Sequence, residues 1–348
     1  MSFISKLKSI TIKTSILAGL LSISSTSFSS DKRAVDKIKG HLSVMVLGSG
    51  GPTALNPGGR ASASYLIFID GKPRILMDAG GGAYKNLALS GVNIADLDIV
   101  LISHLHIDHM GDLSSFVKGI FFHNRAHRTF RTAPIRIFGP DENHVPFPGT
   151  TVSQYPSTGN YVGHLYHKVT GIERYLNIFS KAINGGKFAW EVTNLTPAIA
   201  DPEVELLNEN GLVISSIGVF HGPVPALAFK VKYKGTSIVY SGDTNSKSQN
   251  MITISRRASM VIYDTAITDT LPNVYPSDTV FKALHTTPSR MGVVCAEAKP
   301  KILLLSHLTP VTDPRINEVK RVVKSKGCVS KIKVAKDLKV YNFPKQRD

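Results

Sequence analysis

The stretch Ser103-His-Leu-His-Ile-Asp-His-Met-Gly-Asp112 places His104, His106, Asp108 and His109 within six residues. Imidazole nitrogens and carboxylate oxygens are the usual nitrogen and oxygen ligands of zinc. Four such donors packed this densely read as a metal site, which a lone histidine would not. The segment before them, Asp98-Ile-Val-Leu-Ile-Ser103, is apolar and β-branched and reads as a buried strand. The segment after them, Met110 to Phe122, carries Leu113, Phe116, Val117 and Ile120 at helical spacing. The donors therefore sit on a strand-to-helix turn. There the backbone can aim His104 and His106 one way, and Asp108 and His109 another, which suits two neighbouring cations better than one.

Outward from this stretch, further donors follow apolar runs. Leu76-Met-Asp-Ala-Gly80 offers Asp78, Val219-Phe-His-Gly-Pro-Val-Pro225 offers His221, and Val239-Tyr-Ser-Gly-Asp-Thr244 offers Asp243. Ala283-Leu-His-Thr-Thr287 contains His285, and Leu303-Leu-Leu-Ser-His-Leu308 offers His307. Taken singly, each has a plain structural explanation. Asp243 follows a glycine and suits a turn, and Asp112 suits the first turn of a helix, where the dipole favours negative charge. The glycines of Leu47-Gly-Ser-Gly-Gly-Pro52 lack the Gly-x-Gly-x-x-Gly spacing of a dinucleotide loop, and read as a tight loop after the first strand. Gly80-Gly-Gly82 reads as a turn before a helix starting near Ala83.

In this order, the motifs resemble the metallo-β-lactamase fold superfamily, and within it the ribonuclease Z-like and arylsulfatase-like branch of metal-dependent hydrolases. The resemblance runs over most of residues 42–343. It implies an α/β fold, a four-layer αββα sandwich, with a helical cap insertion over about residues 122–205. Carried over position by position, His104, His106 and His221 hold one zinc ion. Asp108, His109 and His307 hold the second, Asp243 bridges the two, and Asp78 buttresses the loop. Two Zn²⁺ are the implied cofactors, and iron or manganese would accept the same donors. Asp108 and His285 are the candidate catalytic residues, with His285 giving a proton to the leaving group or hydrogen-bonding the bound anion. Two Zn²⁺, two carboxylates and a bridging hydroxide leave the centre at about +1, and such a centre lowers the pKa of its water to about 7.

The implied function is that of an exported binuclear-zinc hydrolase. It acts on a small anionic ester, foremost a phosphodiester, through a metal-bound hydroxide. Three alternatives stand beside it: an arylsulfatase-type enzyme, a β-lactamase or lactonase, and a non-catalytic metal-dependent binding protein. A bridging aspartate in place of a cysteine favours phosphoester over lactam within the family. Only 21 residues separate His221 from Asp243, which leaves no room for the long tRNA-gripping arm of tRNA-processing ribonuclease Z. Precursor tRNA is therefore not the expected partner, while a homodimer is compatible with the resemblance.

The chain has 348 residues, enough for a substantial core. Its 42% hydrophobic and 19% charged content is that of a globular protein. Lys6, Lys8 and Lys13, the apolar run Ile16–Ile23 and the small residues Ser24–Ser30 form the pattern of a secretory signal peptide over residues 1–30. The apolar run is too short to span a membrane as a helix. The expected mature domain is 31–348, periplasmic or secreted, with no transmembrane segment after cleavage. Cys295 falls on an expected helix, Pro288–Ala298, and Cys328 follows another, Asp313–Lys326. An oxidising compartment would allow them to pair, and the sequence alone leaves that open. The net charge of +16 favours anionic partners. The basic residues are nevertheless scattered, as at Lys230, Lys232, Lys234 and Lys320 to Lys339, and read as solvated faces.

Within the insertion, Ile135-Arg-Ile-Phe-Gly-Pro140 resembles the strand and Gly-Pro turn of ribonuclease Z-like proteins. Residues 143–160 read as loop. Tyr161 to Ile183 has Val162, Leu165, Tyr166, Val169 and Ile172 at helical spacing, and is expected to form one or two helices over the cleft. His164 and His167, three apart, could share a helix face.

Overall fold

The computed structural model describes residues 33–52, 59–131, 133–176, 189–271 and 278–344. The expected signal peptide, residues 1–30, lies outside them. Strands β1 (Leu42–Gly48), β2 (Ser64–Ile69), β3 (Lys72–Met77), β4 (Ile99–Leu101), β5 (Ile135–Pro140) and β6 (Trp190–Leu195) form one sheet. The C-terminal strand β14 (Val340–Phe343) completes it beside β1, giving the order β14-β1-β2-β3-β4-β5-β6. The second sheet has β7 (Val204–Glu209), β8 (Leu212–His221), β9 (Val224–Tyr233), β10 (Thr236–Tyr240), β11 (Met260–Asp264), β12 (Ile302–Ser306) and β13 (Lys331–Val334). These lie side by side in reverse chain order, from β13 to β7.

The period-2 alternation of strand side chains sorts the apolar residues into three layers of core. From β1, Leu42, Val44 and Val46 face the second sheet and meet Leu227, Phe229, Ile238, Ile262 and Leu304. Met45 and Leu47 face outward, onto a layer that includes Leu113, Phe116, Val117 and Ile120 of the helix Leu113–Ala126. On the far side, Val239, Val261, Leu303 and Leu305 pack against Met291 and Val294 of the helix Pro288–Ala298 and Val319 and Val323 of the helix Ile316–Ser325. Helix, sheet, sheet and helix thus stack as the expected αββα sandwich. A disulfide joins Cys295 to Cys328, with Cα atoms 5.1 Å apart. Among the described residues, no helix is long and apolar enough to cross a membrane.

Residues 122–205, expected to hold the strand Ile135–Pro140 and a helical cap, contain that strand as β5. Two of their segments, β5 and β6, are parallel neighbours in the first sheet. The helix Thr158–Leu165 starts at Ser157, whose side chain accepts from Asn160 N, and packs on these strands. Val162 and Tyr166 enter the outer core with Ile135 and Ile137. Of the helical stripe read from the sequence, Val162 and Tyr166 pack against the sheet, while Val169, beyond the helix, is exposed. Residues 177–183 of the expected helical stretch lie outside the described residues. His164 and His167 are exposed, and among the described residues their hydrogen bonds are local, to Asn160 O and to Val169 and Thr170.

Candidate metal centre

β4 is parallel to β3 and β5, so its carboxyl end opens toward one edge of the sandwich, the place where ligands bind in open α/β sheets. The chain leaves it at Ser103 and passes His104 and His106 before the single turn Ile107–Met110 carries Asp108 and His109 inward. The helix expected from Met110 is interrupted at Gly111 and resumes at Leu113. Asp112 in the break accepts a hydrogen bond from Tyr84 N, tying this turn to the start of the helix Ala83–Ser90. Gly80 is required beside it, because a Cβ there would lie 2.2 Å from Asp108 O.

The second sheet supplies the remaining donors. His221 ends β8, Asp243 follows β10, and His307 follows β12. His104 Nε2 lies 3.0 Å from His106 Nδ1, which lies 3.4 Å from His221 Nε2. His109 Nε2 and His307 Nε2 are 3.2 Å apart, and Asp108 Oδ2 is 3.4 and 3.2 Å from them. Asp243 stands between the groups. Its Oδ1 is 3.4 Å from both His109 Nε2 and His307 Nε2, and its Oδ2 is 3.9 Å from both His104 Nε2 and His221 Nε2. All seven sequence candidates are thus brought together, with the candidate bridge in the middle.

These atoms fit cations. A tetrahedron with Zn–N bonds of about 2.0–2.1 Å has edges of roughly 3.3 Å, close to the spacings within each group. Asp243 Oδ1 is buried with no hydrogen-bond partner among the described residues. Buried carboxylate oxygens need a partner or a cation. Each group contributes one ligand atom per residue within 4.8 Å of the others.

The surroundings aim the donors. Asp78 accepts from Ser103 N, Ser103 Oγ and Tyr240 OH, and from His109 Nδ1 at 2.7 Å. His221 Nδ1 donates to Leu284 O at 2.7 Å. Each such bond fixes a tautomer and leaves Nε2 facing the cluster. Asp78 and His307 both hold left-handed backbone, at φ 54° and 56°, a conformation disfavoured for residues with a Cβ and often found at functional sites.

The electrostatics divide the cluster. Burial, reinforced by His109, holds the pKa of His104 well below the ordinary imidazole value, and burial lowers His106 and takes His221 to about 4. These three are neutral and offer lone pairs. At His109 and His307, burial opposes protonation but the Asp243 and Asp108 carboxylates outweigh it, raising His109 well above its ordinary value and His307 to about 10. Protons there balance carboxylates that a cation would otherwise balance.

His285 stands at the rim, its side chain 11% exposed. Its Nδ1 is 3.0 Å from Asp264 Oδ2 and 3.8 Å from Asp243 Oδ2. Burial works against its charge, and Asp264 overrides this and raises its pKa. Asp264 also approaches His307 Nδ1 at 3.5 Å. Neither Asp264 nor Tyr240 was expected from the sequence. Asp264 does carry a signal, since Met260-Val-Ile-Tyr-Asp264 ends an apolar strand in aspartate, as Leu76-Met-Asp78 does.

The sequence profile described as the metallo-beta-lactamase superfamily matches residues 57–307. A ribonuclease Z of Mycolicibacterium paratuberculosis is 25% identical over 305 residues, covering 85% of this chain and 96% of the relative. The metallo-beta-lactamase fold protein YhfI from Bacillus subtilis superposes with a TM-score of 0.59 at 20% identity, over 87% of this chain and 99% of its own. Human tRNase Z, short form, gives 0.58 at 19% identity, over the same 87% and 99%. The chain belongs to the metallo-β-lactamase superfamily and is a metal-dependent hydrolase.

Proposed function

We propose that the protein is an exported hydrolase that holds two zinc ions on the seven donors and cleaves a small anionic ester, foremost a phosphodiester. One observation carries this: Asp243 presents one oxygen to each half of the cluster, with His285 beside it. His104, His106 and His221 form one half, and Asp108, His109 and His307 the other. Two divalent ions held at these positions would supply Lewis acidity and lower the pKa of a water to about 7. The remaining chemistry belongs to the chain. Asp78 and Leu284 O hold His109 and His221 in fixed tautomers. Asp264 raises the pKa of His285, and because the imidazole Nδ1 is engaged, a proton given to a leaving oxygen comes from Nε2.

The Cys295–Cys328 disulfide and the leader-like N-terminus support export, since disulfides persist in oxidising compartments. The test is hydrolysis of bis(p-nitrophenyl) phosphate by zinc-loaded protein, beside p-nitrophenyl sulfate and a chelator control. Chelator-sensitive phosphodiester turnover exceeding sulfate turnover is the expected result. Faster sulfate turnover would move the protein to the sulfatases. No turnover with two ions bound would return lactams, lactones and a binding role.

A further inference from the structure

We infer that Asp337, thirty residues beyond the last metal-ligand candidate, is a positioning residue for His307 and governs occupancy of one half of the centre. The inference rests on His307 being a ligand. His307 holds its left-handed backbone only because its neighbours over-determine it. Leu308 N donates to Ser49 O at 2.9 Å, and Gly51 N donates to Leu308 O at 3.0 Å, so the loop after β1 clamps the residue following His307. Gly51 lies against the imidazole itself, where a Cβ would be 2.9 Å from His307 Cε1.

This loop is in turn held by Asp337. Its Oδ1 accepts from Ser49 N at 3.0 Å and Ser49 Oγ at 2.6 Å, and its Oδ2 from Ala61 N at 2.8 Å and Asn86 Nδ2 at 2.9 Å. Four donors on two oxygens fill the acceptor capacity of a carboxylate. Arg60 closes the network. It donates to Ser49 Oγ and Ala335 O, both at 2.8 Å, and forks onto Asp313 beyond His307 at 2.9 Å on each arm. The chain of contacts runs from Asp337 through Ser49 to Leu308, and so to His307. It leads to the Asp108–His109–His307 half and not to His104, His106 or His221.

The experiment is a zinc titration of the full chain against a chromophoric chelator, for wild type, Asp337→Asn, Ser49→Ala and His307→Ala, with melting followed in parallel. An asparagine turns one acceptor into a donor facing donors, while Ser49→Ala removes the two side-chain bonds, to Asp337 and from Arg60, and keeps the backbone clamp of the loop. The expected result is two equivalents in wild type. Asp337→Asn and Ser49→Ala retain the first at unchanged affinity and bind the second about 10–100-fold more weakly, in the direction of His307→Ala. Two unchanged equivalents with only a lower melting temperature would overturn the inference. So would equal weakening of both, the mark of a general structural role. Fewer than two equivalents in wild type would instead remove the two-ion proposal on which it rests.

Discussion

At Asp264 one carboxylate serves two imidazoles, His285 at 3.0 Å and His307 at 3.5 Å, and this residue sets the pH range in which His285 can act as an acid. His285 is raised above its ordinary value, so its proton is retained to higher pH than in a free imidazole. Asp264→Asn removes the charge that raises it. The alkaline limb of the kcat profile, measured at saturating zinc, should then move to lower pH. An unmoved limb would remove His285 from the proton transfer. His106→Ala should abolish metal at the three-histidine half and lower activity at least 100-fold, checked by atomic emission beside the rate. Full metal with normal activity would reject His106 as a ligand. The convergence of the seven candidate donors was legible because their motifs follow apolar runs in a familiar order. Asp264 and Asp337 were not, since their roles come from which groups approach them, and only the fold decides that.

Among the elements, the carboxyl ends of the strands carry the chemistry, and this regularity made the order of motifs informative. The segment 122–205 shows the converse. A stripe at helical spacing announces that a helix buries one face, and not against what; here Val162 and Tyr166 found the sheet. The helix Pro288–Ala298 is fastened at Cys295 to the turn after the helix Ile316–Ser325. With a sequence separation of 33, loop-closure entropy makes this link worth about 3–4 kcal/mol. Cys295→Ser with Cys328→Ser should lower stability by about that amount in chemical denaturation, and added reductant should reproduce the loss in wild type only. Equal stability with and without reductant would show that the link contributes nothing. At the sheet edge, β13 carries Lys331 and Lys333, charges that discourage pairing with another chain.

For the molecule as a whole, the centre joins two sheets, and its protons are part of its stability. In metal-free protein His307 is raised from 6.5 to about 10. A raised pKa contributes stability that is fully present below about pH 6.5 and is lost as pH rises through about 10. Chelated protein should therefore melt progressively lower from pH 7 to 10, a trend the zinc-loaded protein should lack. Zinc binding near pH 8 should also release protons from His109 and His307, seen as a buffer-dependent heat in calorimetry. A heat independent of buffer ionisation would show that these imidazoles are already neutral.

The pairing of β14 with β1 has a consequence for timing. Leu42 to Met45 align antiparallel with Phe343 to Val340, so among the described strands the earliest in the chain waits for the latest before its edge is covered. A ribosome must emit the segment through Phe343 before the first sheet can close. Until then the nascent polypeptide keeps an unpaired strand edge along β1.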